Sequence, residues 1–286
     1  MTTVSPPQTE INSVISLYSN GQIEEALGAV ETLIKSYPNN PLLYNISGAC
    51  YAGLGQLDVA VKHYEKALTI KPDYAEVHNN LGITLQELGQ LNAAVKSYEQ
   101  ALSIQLHSLS QDNQTGYAEA FNNLGIVLKE LGQLDTAINS YEKVLIIKPD
   151  FAEAHFNLGL TYQELGQLDA TVNSYENALA IKPDYTDALT NLGVTLQELG
   201  QLDAAVKSFK KTLAIKPDFA EAHNNLGNAL NDLGQLDDAI KCYEKALTIK
   251  PDFPGVYSNL GLTLQELGQP DAAVKSFEKA LTINPD

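Results

Sequence analysis

The dipeptide Gly-Gln recurs at Gly21, Gly55, Gly89, Gly132, Gly166, Gly200, Gly234 and Gly268. Consecutive copies stand 34 residues apart, except Gly89 and Gly132, which stand 43 apart, or 34 plus 9. A fixed period of this kind over nearly the whole chain argues against an ordinary globular core. Each copy must be one supersecondary unit that buries its apolar face against its neighbours. The 286-residue length, which by itself suggests about two domains of roughly 150 residues, is therefore better read as a count of repeats.

The fourth copy shows how a unit is built. On a helical wheel Phe121, Leu124, Gly125 and Leu128 share one face. Gly132 follows, where a left-handed cap costs glycine little. A second amphipathic helix is expected from about Leu134 to Ile147, with Ala137, Tyr141 and Val144 inward and Pro149 ending it. The small Gly125 and Ala137 are expected to let the two helices approach closely. Asp150 with Glu153 reads as a capping box for the next helix, as do Asp73 with Glu76, Asp184 with Asp187, and Asp218 with Glu221. The series Tyr64, Tyr98, Tyr141, Tyr175, Phe209, Tyr243, Phe277 reads as a core stripe.

The pattern Phe121-x-x-Leu124-Gly125-x-x-Leu128, Ala137-x-x-x-Tyr141, Pro149 is matched in the second copy by Tyr44, Gly48, Tyr51, Ala60, Tyr64, Ala67 and Pro72. These residues resemble the tetratricopeptide repeat (TPR) family over residues 7–286. The resemblance implies an all-α fold, a right-handed superhelical solenoid of eight antiparallel helix-turn-helix units. Their expected bounds are 7–40, 41–74, 75–117, 118–151, 152–185, 186–219, 220–253 and 254–286, after a disordered tail at 1–6.

Three places break the period. The first copy has Val14 where later copies have the close-packing glycine, as an end repeat would. The third carries nine extra residues within Gln105–Gly116, read as a slightly lengthened helix and a surface loop, or else a partner contact. The last ends without a covering helix, which would leave Val274 and Leu281 at an open end. A chain that continues, a following domain, or end-to-end self-association is the expectation there.

Charge narrows the partners. The net charge is −17, with 18 Lys and no Arg. A chain without a guanidinium lacks the bidentate fork for phosphate or guanine, and its negative field repels nucleic acid and anionic membranes. Cys50 and Cys242 lie in different units, so a disulfide scaffold is excluded and they read as packing residues. No signal pattern and no apolar run of ~18 residues appears, and a cytoplasmic location is expected.

Catalytic chemistry finds no purchase in the sequence. Phosphate-loop, nucleophile-elbow, HExxH and CxxC patterns are missing, and neither an enzymatic activity nor a cofactor is expected. His78, His155 and His223 share one repeat offset, but successive repeats stand ~10 Å apart, too far for a shared ion, and the histidines read as packing.

The binding candidates are amides. Two residues before each unit glycine stand Asn80, Asn123, Asn157, Asn191, Asn225 and Asn259, with Asn12 matching by offset and Ile46 departing. Asn is a mediocre helix former, and on the wheel this position points away from the core between paired helices, in a stripe with Glu76, Ile83 and Glu87. The amides either pair with a neighbouring repeat and keep register, or present donors and acceptors to an extended peptide. The forms Asn79-Asn80-Leu81-Gly82 and Ser258-Asn259-Leu260-Gly261 are similar to the repeat region of O-linked N-acetylglucosamine transferases. That resemblance implies a concave groove in which these asparagines hold peptide backbone. It does not carry the activity, because the transferase domain is not in this sequence. The Lys/Asn/Arg carboxylate clamp of another TPR class is missing as well.

Acids repeat at Glu87, Glu130, Glu164, Glu198, Asp232 and Glu266, near the end of each first helix, where they oppose the helix dipole. They serve solubility, or they make the groove select Lys/Arg-rich peptides. The expected partner is a protein or peptide, neutral to basic, received in an Asn-lined acidic groove. The alternative is a substrate-recruiting arm of a larger enzyme, a glycosyltransferase or another modifying enzyme, cut at residue 286.

Overall fold

In a computed structural model, residues 5–106 and 114–284 are described. Much of the Gln105–Gly116 insertion, and most of the 1–6 segment, therefore lie outside the described residues. The described chain is all-helical, sixteen helices in pairs. It forms two compact bodies, Met1–Pro149 and Asp150–Asp286.

The N-terminal body holds four pairs: α1 (Gln8–Ser19) with α2 (Ile23–Ser36), α3 (Pro41–Gly53) with α4 (Leu57–Ile70), α5 (Ala75–Glu87) with α6 (Leu91–Leu106), and α7 (Gln114–Glu130) with α8 (Leu134–Ile147). The C-terminal body repeats the plan with α9 (Ala152–Glu164), α10 (Leu168–Ile181), α11 (Thr186–Glu198), α12 (Leu202–Ile215), α13 (Ala220–Asp232), α14 (Leu236–Ile249), α15 (Pro254–Glu266) and α16 (Pro270–Ile283). Within each body every helix packs on the next in sequence, which is the solenoid arrangement. The helices flanking the insertion are lengthened, α6 to 16 residues and α7 to 17, where α4 has 14 and α5 has 13.

Two glycine positions make a repeat possible. At the turn between paired helices, Gly132 has φ 72° and its seven counterparts lie between 70° and 78°, a region that a Cβ disfavours. Inside the first helix of the pair, the other glycine seats an aromatic ring from the second. A Cβ on Gly125 would lie 2.6 Å from Tyr141 Cε1, and one on Gly159 2.5 Å from Tyr175 Cε1. The same approach recurs from Gly48–Tyr64 to Gly261–Phe277. The rings are core, as the sequence implies: Tyr98, Tyr141, Tyr175 and Phe209 are wholly buried. Ala137 is buried beside them.

Burial pushes the ring hydroxyls well above the ordinary tyrosine range, Tyr243 to about 12. Each buried hydroxyl needs a partner. Tyr98 donates to Gln86 Oε1 at 3.4 Å, Tyr175 to Gln163 Oε1 at 2.8 Å, and Tyr243 to Asn228 Oδ1 at 2.9 Å. Tyr141 has no partner for its buried hydroxyl, because the fourth repeat carries Lys129, which offers no acceptor, where Gln86 and Gln163 stand.

The capping boxes are not formed. The N-caps of α5, α9, α11 and α13 are Tyr74, Phe151, Tyr185 and Phe219, none with a side-chain cap bond. Asp73, Asp150, Asp184 and Asp218 lie one residue too early to reach the N2 and N3 amides. At three of these four caps a lysine at the end of the preceding helix lies over the aromatic ring. Lys Nζ lies 4.6, 4.7 and 4.5 Å from the centroids at Lys71–Tyr74, Lys182–Tyr185 and Lys216–Phe219. Only α3 has a side-chain cap among the described helix starts: Asn40 Oδ1 accepts from the Leu42 and Leu43 amides at 3.0 and 3.3 Å.

Gly159→Ala is expected to destabilise by about 1–3 kcal/mol through overpacking against Tyr175, whereas Gly28→Ala, on an open face of α2, gains up to ~1 kcal/mol of helix propensity. Urea denaturation separates the two signs. By the same method Tyr141→Phe is expected to be neutral or stabilising, and Tyr175→Phe, which breaks a made bond, to cost about 1 kcal/mol.

Candidate functional site: an amide ladder and a file of acids

The six ladder asparagines all lie on the first helix of their repeats and all are half-buried. In the N-terminal body they are Asn80 on α5 and Asn123 on α7; in the C-terminal body they are Asn157, Asn191, Asn225 and Asn259 on α9, α11, α13 and α15. Asn12 lies on α1, where its Oδ1 accepts from Gln8 at 3.0 Å.

Two ladder amides tie successive first helices together. Asn80 Nδ2 donates to Asn45 Oδ1 at 3.0 Å, and Asn45 Nδ2 donates to Glu76 Oε1 at 2.9 Å, so α5 clasps α3 from two sides. Asn259 Nδ2 donates to Asn224 Oδ1 at 3.0 Å and to Asn228 Oδ1 at 3.1 Å, joining α15 to α13. At these positions the register role is present. An amide carries two donor hydrogens and an acceptor oxygen, so the rung at Asn80 engages one hydrogen of the group. The main-chain carbonyls are engaged from within: the hydroxyls of Thr84, Thr161, Thr195 and Thr263 donate to the carbonyls of Asn80, Asn157, Asn191 and Asn259 at 2.8–3.0 Å. What the ladder offers outward is therefore side-chain amide.

The sequence reading took one amide per repeat and missed its partners. Asn45, Asn224 and Asn228 complete the rungs. The signal was the doubled amide at Asn79-Asn80, Asn122-Asn123 and Asn224-Asn225, together with the offset of 35 that separates Asn45 from Asn80 and Asn224 from Asn259.

Glu87, Glu130, Glu164 and Glu198 are the last residues of α5, α7, α9 and α11, and all are exposed. Two of the acids, which the helix dipole disfavours, join a second kind of rung. Gln86 Nε2 donates to Glu130 Oε1 at 2.8 Å, and Gln197 Nε2 donates to Asp232 Oδ2 at 2.6 Å. In both cases an acid of one repeat accepts from the preceding repeat's glutamine.

The histidines have local roles. His78 Nε2 is hydrogen-bonded to the Pro72 carbonyl at 3.0 Å and His223 Nε2 to that of Pro217 at 2.9 Å. Among the described residues no cluster of His, Cys, Asp or Glu is placed to hold a metal ion. Burial raises the Cys50 thiol to about 11, which leaves it a packing group rather than a nucleophile. No described helix is long and apolar enough to cross a membrane.

His63 on α4 is the perturbed base. It packs on the rings of Tyr51 and Tyr44, at 4.9 and 6.0 Å between centroids, with Nδ1 buried and without a partner. Burial lowers its pKa, and the facing Glu31, which accepts from Tyr51 at 2.6 Å, raises it by less.

Paired helices on a fixed period, with polar rungs between successive first helices, define a repeat-built protein-interaction scaffold. Comparison with family models identifies which one. Tetratricopeptide repeat models match residues 39–107, 73–149, 140–172 and 254–286, and TPR repeat models match 162–200, 196–231 and 227–268. Together they run from 39 to 286 without a gap, and the chain belongs to the tetratricopeptide repeat family. No curated protein sequence matches it. Among solved structures it is similar to MamA, at 31% identity and TM-score 0.55 over 57% of this chain and 95% of that one. A second MamA structure gives 28% and 0.57 over 61% and 94%. YrrB, described as a TPR protein with an unusual peptide-binding site, shares the fold at 22% identity and TM-score 0.54, over 68% of this chain and 95% of its own.

Because the folded pKa of His63 lies below the usual 6.5, the unfolded chain binds the proton more readily. Stability is fully present above pH 6.5 and falls as pH drops through and below it. His63→Phe is expected to flatten that part of the curve, read as Tm at pH 7.5, 6.5 and 5.5.

Proposed function

We propose that the chain is a binding scaffold whose ladder positions, within each body, receive an extended, neutral-to-basic peptide. Asn80, Asn123, Asn157, Asn191, Asn225 and Asn259 pair with the peptide main chain, and Glu87, Glu130, Glu164 and Glu198 attract its Lys and Arg side chains. The observation that carries the reading is the fixed relation between the two files. Each of Asn80, Asn123, Asn157 and Asn191 stands seven residues before its acid, two helical turns, so amide and carboxylate lie along the same side of the helix.

Three further facts support it. The amides are half-buried rather than sealed, the acids are exposed, and the chain's net charge of −17 attracts cationic segments. YrrB, a TPR protein with an unusual peptide-binding site, fits the same class of activity. At Asn80 the register bond does not compete with this role, since it uses one Nδ2 hydrogen and orients the other, whereas at Asn259 both hydrogens are engaged with α13.

On an array of peptides matched in length, Lys/Arg-rich and neutral members are expected to be retained over Asp/Glu-rich ones, with retention weakening as salt rises. Combined replacement of Asn123, Asn157 and Asn191 by Ala is expected to weaken every retained peptide at least tenfold, about 1.4 kcal/mol. Unchanged affinity would remove the ladder from the binding surface.

A further inference from the structure

The ladder is interrupted once, and at that place the first helices of the N-terminal body open into a hollow of about 590 Å³. Its floor is α3. At the four groove positions of α3 the repeat pattern of Asn, branched aliphatic, Gln and acid becomes Ile46, Ala49, Ala52 and Gly53. In the next repeat the same offsets hold Asn80, Ile83, Gln86 and Glu87. Three of the four side chains are cut back to a methyl or a hydrogen, and the amide is replaced by an alkyl group. The walls come from the neighbours on either side: Ile15 and Tyr18 on α1, and Ile83 on α5, 43%, 39% and 37% exposed. Large apolar side chains left open around one depression mark a surface that something covers.

The rim supplies the identity of the occupant. Glu76 and Glu87 on α5 border the hollow and are exposed, and no cation is among its lining residues. The Asn80–Asn45 rung crosses its edge. We infer that this hollow seats a bulky aliphatic or aromatic side chain of an extended peptide, with Lys or Arg beside that residue to meet Glu76 and Glu87. The volume falls within the roughly 300–1,000 Å³ of concave ligand sites and has room for a large side chain with a neighbour. The apolar floor binds by burial, and the two carboxylates bind only if a cation comes with the apolar group. The adjacent rung fixes where the peptide main chain passes. This inference rests on the groove reading above and adds to it a position: the ladder sets the path, and the second repeat sets the register of the peptide upon it.

The test uses the full chain and a random dodecapeptide library displayed on phage. Enriched peptides are expected to share one large apolar residue flanked by Lys or Arg, with no such preference for Ala or Asp at that position. Ala49→Ile with Ala52→Gln fills the hollow with the residues that the third repeat carries at those offsets, so the fold is expected to stand, checked by circular dichroism. The filled variant is expected to bind the enriched peptides at least tenfold more weakly and, when panned afresh, to lose the apolar preference. Glu76→Gln with Glu87→Gln, which leaves Asn45 an acceptor, is expected to lose the flanking Lys/Arg preference and keep the apolar one. Enrichment that is unchanged by filling the hollow but abolished by the triple asparagine replacement overturns the pocket and leaves the groove reading intact. Enrichment sensitive to the filling but not to the asparagines supports the pocket and overturns the ladder. A library that yields no shared apolar residue overturns the pocket outright.

Discussion

An aromatic ring pressed against a glycine backbone holds each repeat together, from Gly48–Tyr64 to Gly261–Phe277, and the rest of the structure depends on it. The glycine has no Cβ, so the ring lies against helix backbone and the two helices can approach over their full contact. Once the ring is seated, the partner helix has one rotation that keeps Ala137 and Val144, or their counterparts, in the same core. That rotation fixes in turn which side of the first helix is left for other uses. The ladder positions are what remains on the first helix after the glycine–ring contact has taken one face. In the first repeat Val14 stands in the glycine's place and is itself buried, so that repeat is closed by aliphatic packing instead.

How much of this was legible follows from range. The period, the left-handed turn glycines and the core stripe could be read because each depends on contacts within about twenty residues. The helix starts were misread for a physical reason. Asp184 has the right chemistry for a cap, but Tyr185, with Lys182 over its ring, is the last non-helical residue, which leaves the aspartate out of reach. Composition alone does not show that a cation–π contact and a capping box compete for the same turn. The glutamine partners of two acids were not legible because they lie one repeat away: Gln86 meets Glu130 across 44 residues and Gln197 meets Asp232 across 35. The position of the amides was legible from the wheel. Their partners were not, since a rung joins the second asparagine of one repeat to the first of the previous one, an offset one residue longer than the period.

The two kinds of rung give the first helices a polar seam beside the apolar one. Buried amide pairs contribute little net stability, but a mismatched pair is costly. A slip by one residue would break Asn80–Asn45 and leave Asn45, 4% exposed, without its partner. Specification of register and presentation of a binding group are thus demands on the same side chains, and they agree: both need the amide held at one angle. In the second repeat Gly48 still seats Tyr64, so the helix pair closes as in the later repeats although its groove positions differ.

The antiparallel pairing also sorts charge by edge. In the C-terminal body every turn within a pair falls at one end of the helices and every turn between pairs at the other. The inner turns of the C-terminal body run from Glu164 to Asp169, Glu198 to Asp203, Asp232 to Asp237 and Glu266 to Asp271, each bracketing a glycine between two exposed carboxylates with no cation between them. The outer turns read Lys-Pro-Asp at Lys182, Lys216 and Lys250, where the lysine offsets one carboxylate, and are less acidic. The C-terminal body is thereby polarised across its width, and the polarity adds with every repeat instead of cancelling. Two copies cannot bring their acidic edges together without repulsion, and a cation approaching from solution meets the deepest potential along that edge. The same tight turn that lets a helix pair close makes one margin of that body an electrostatic guide.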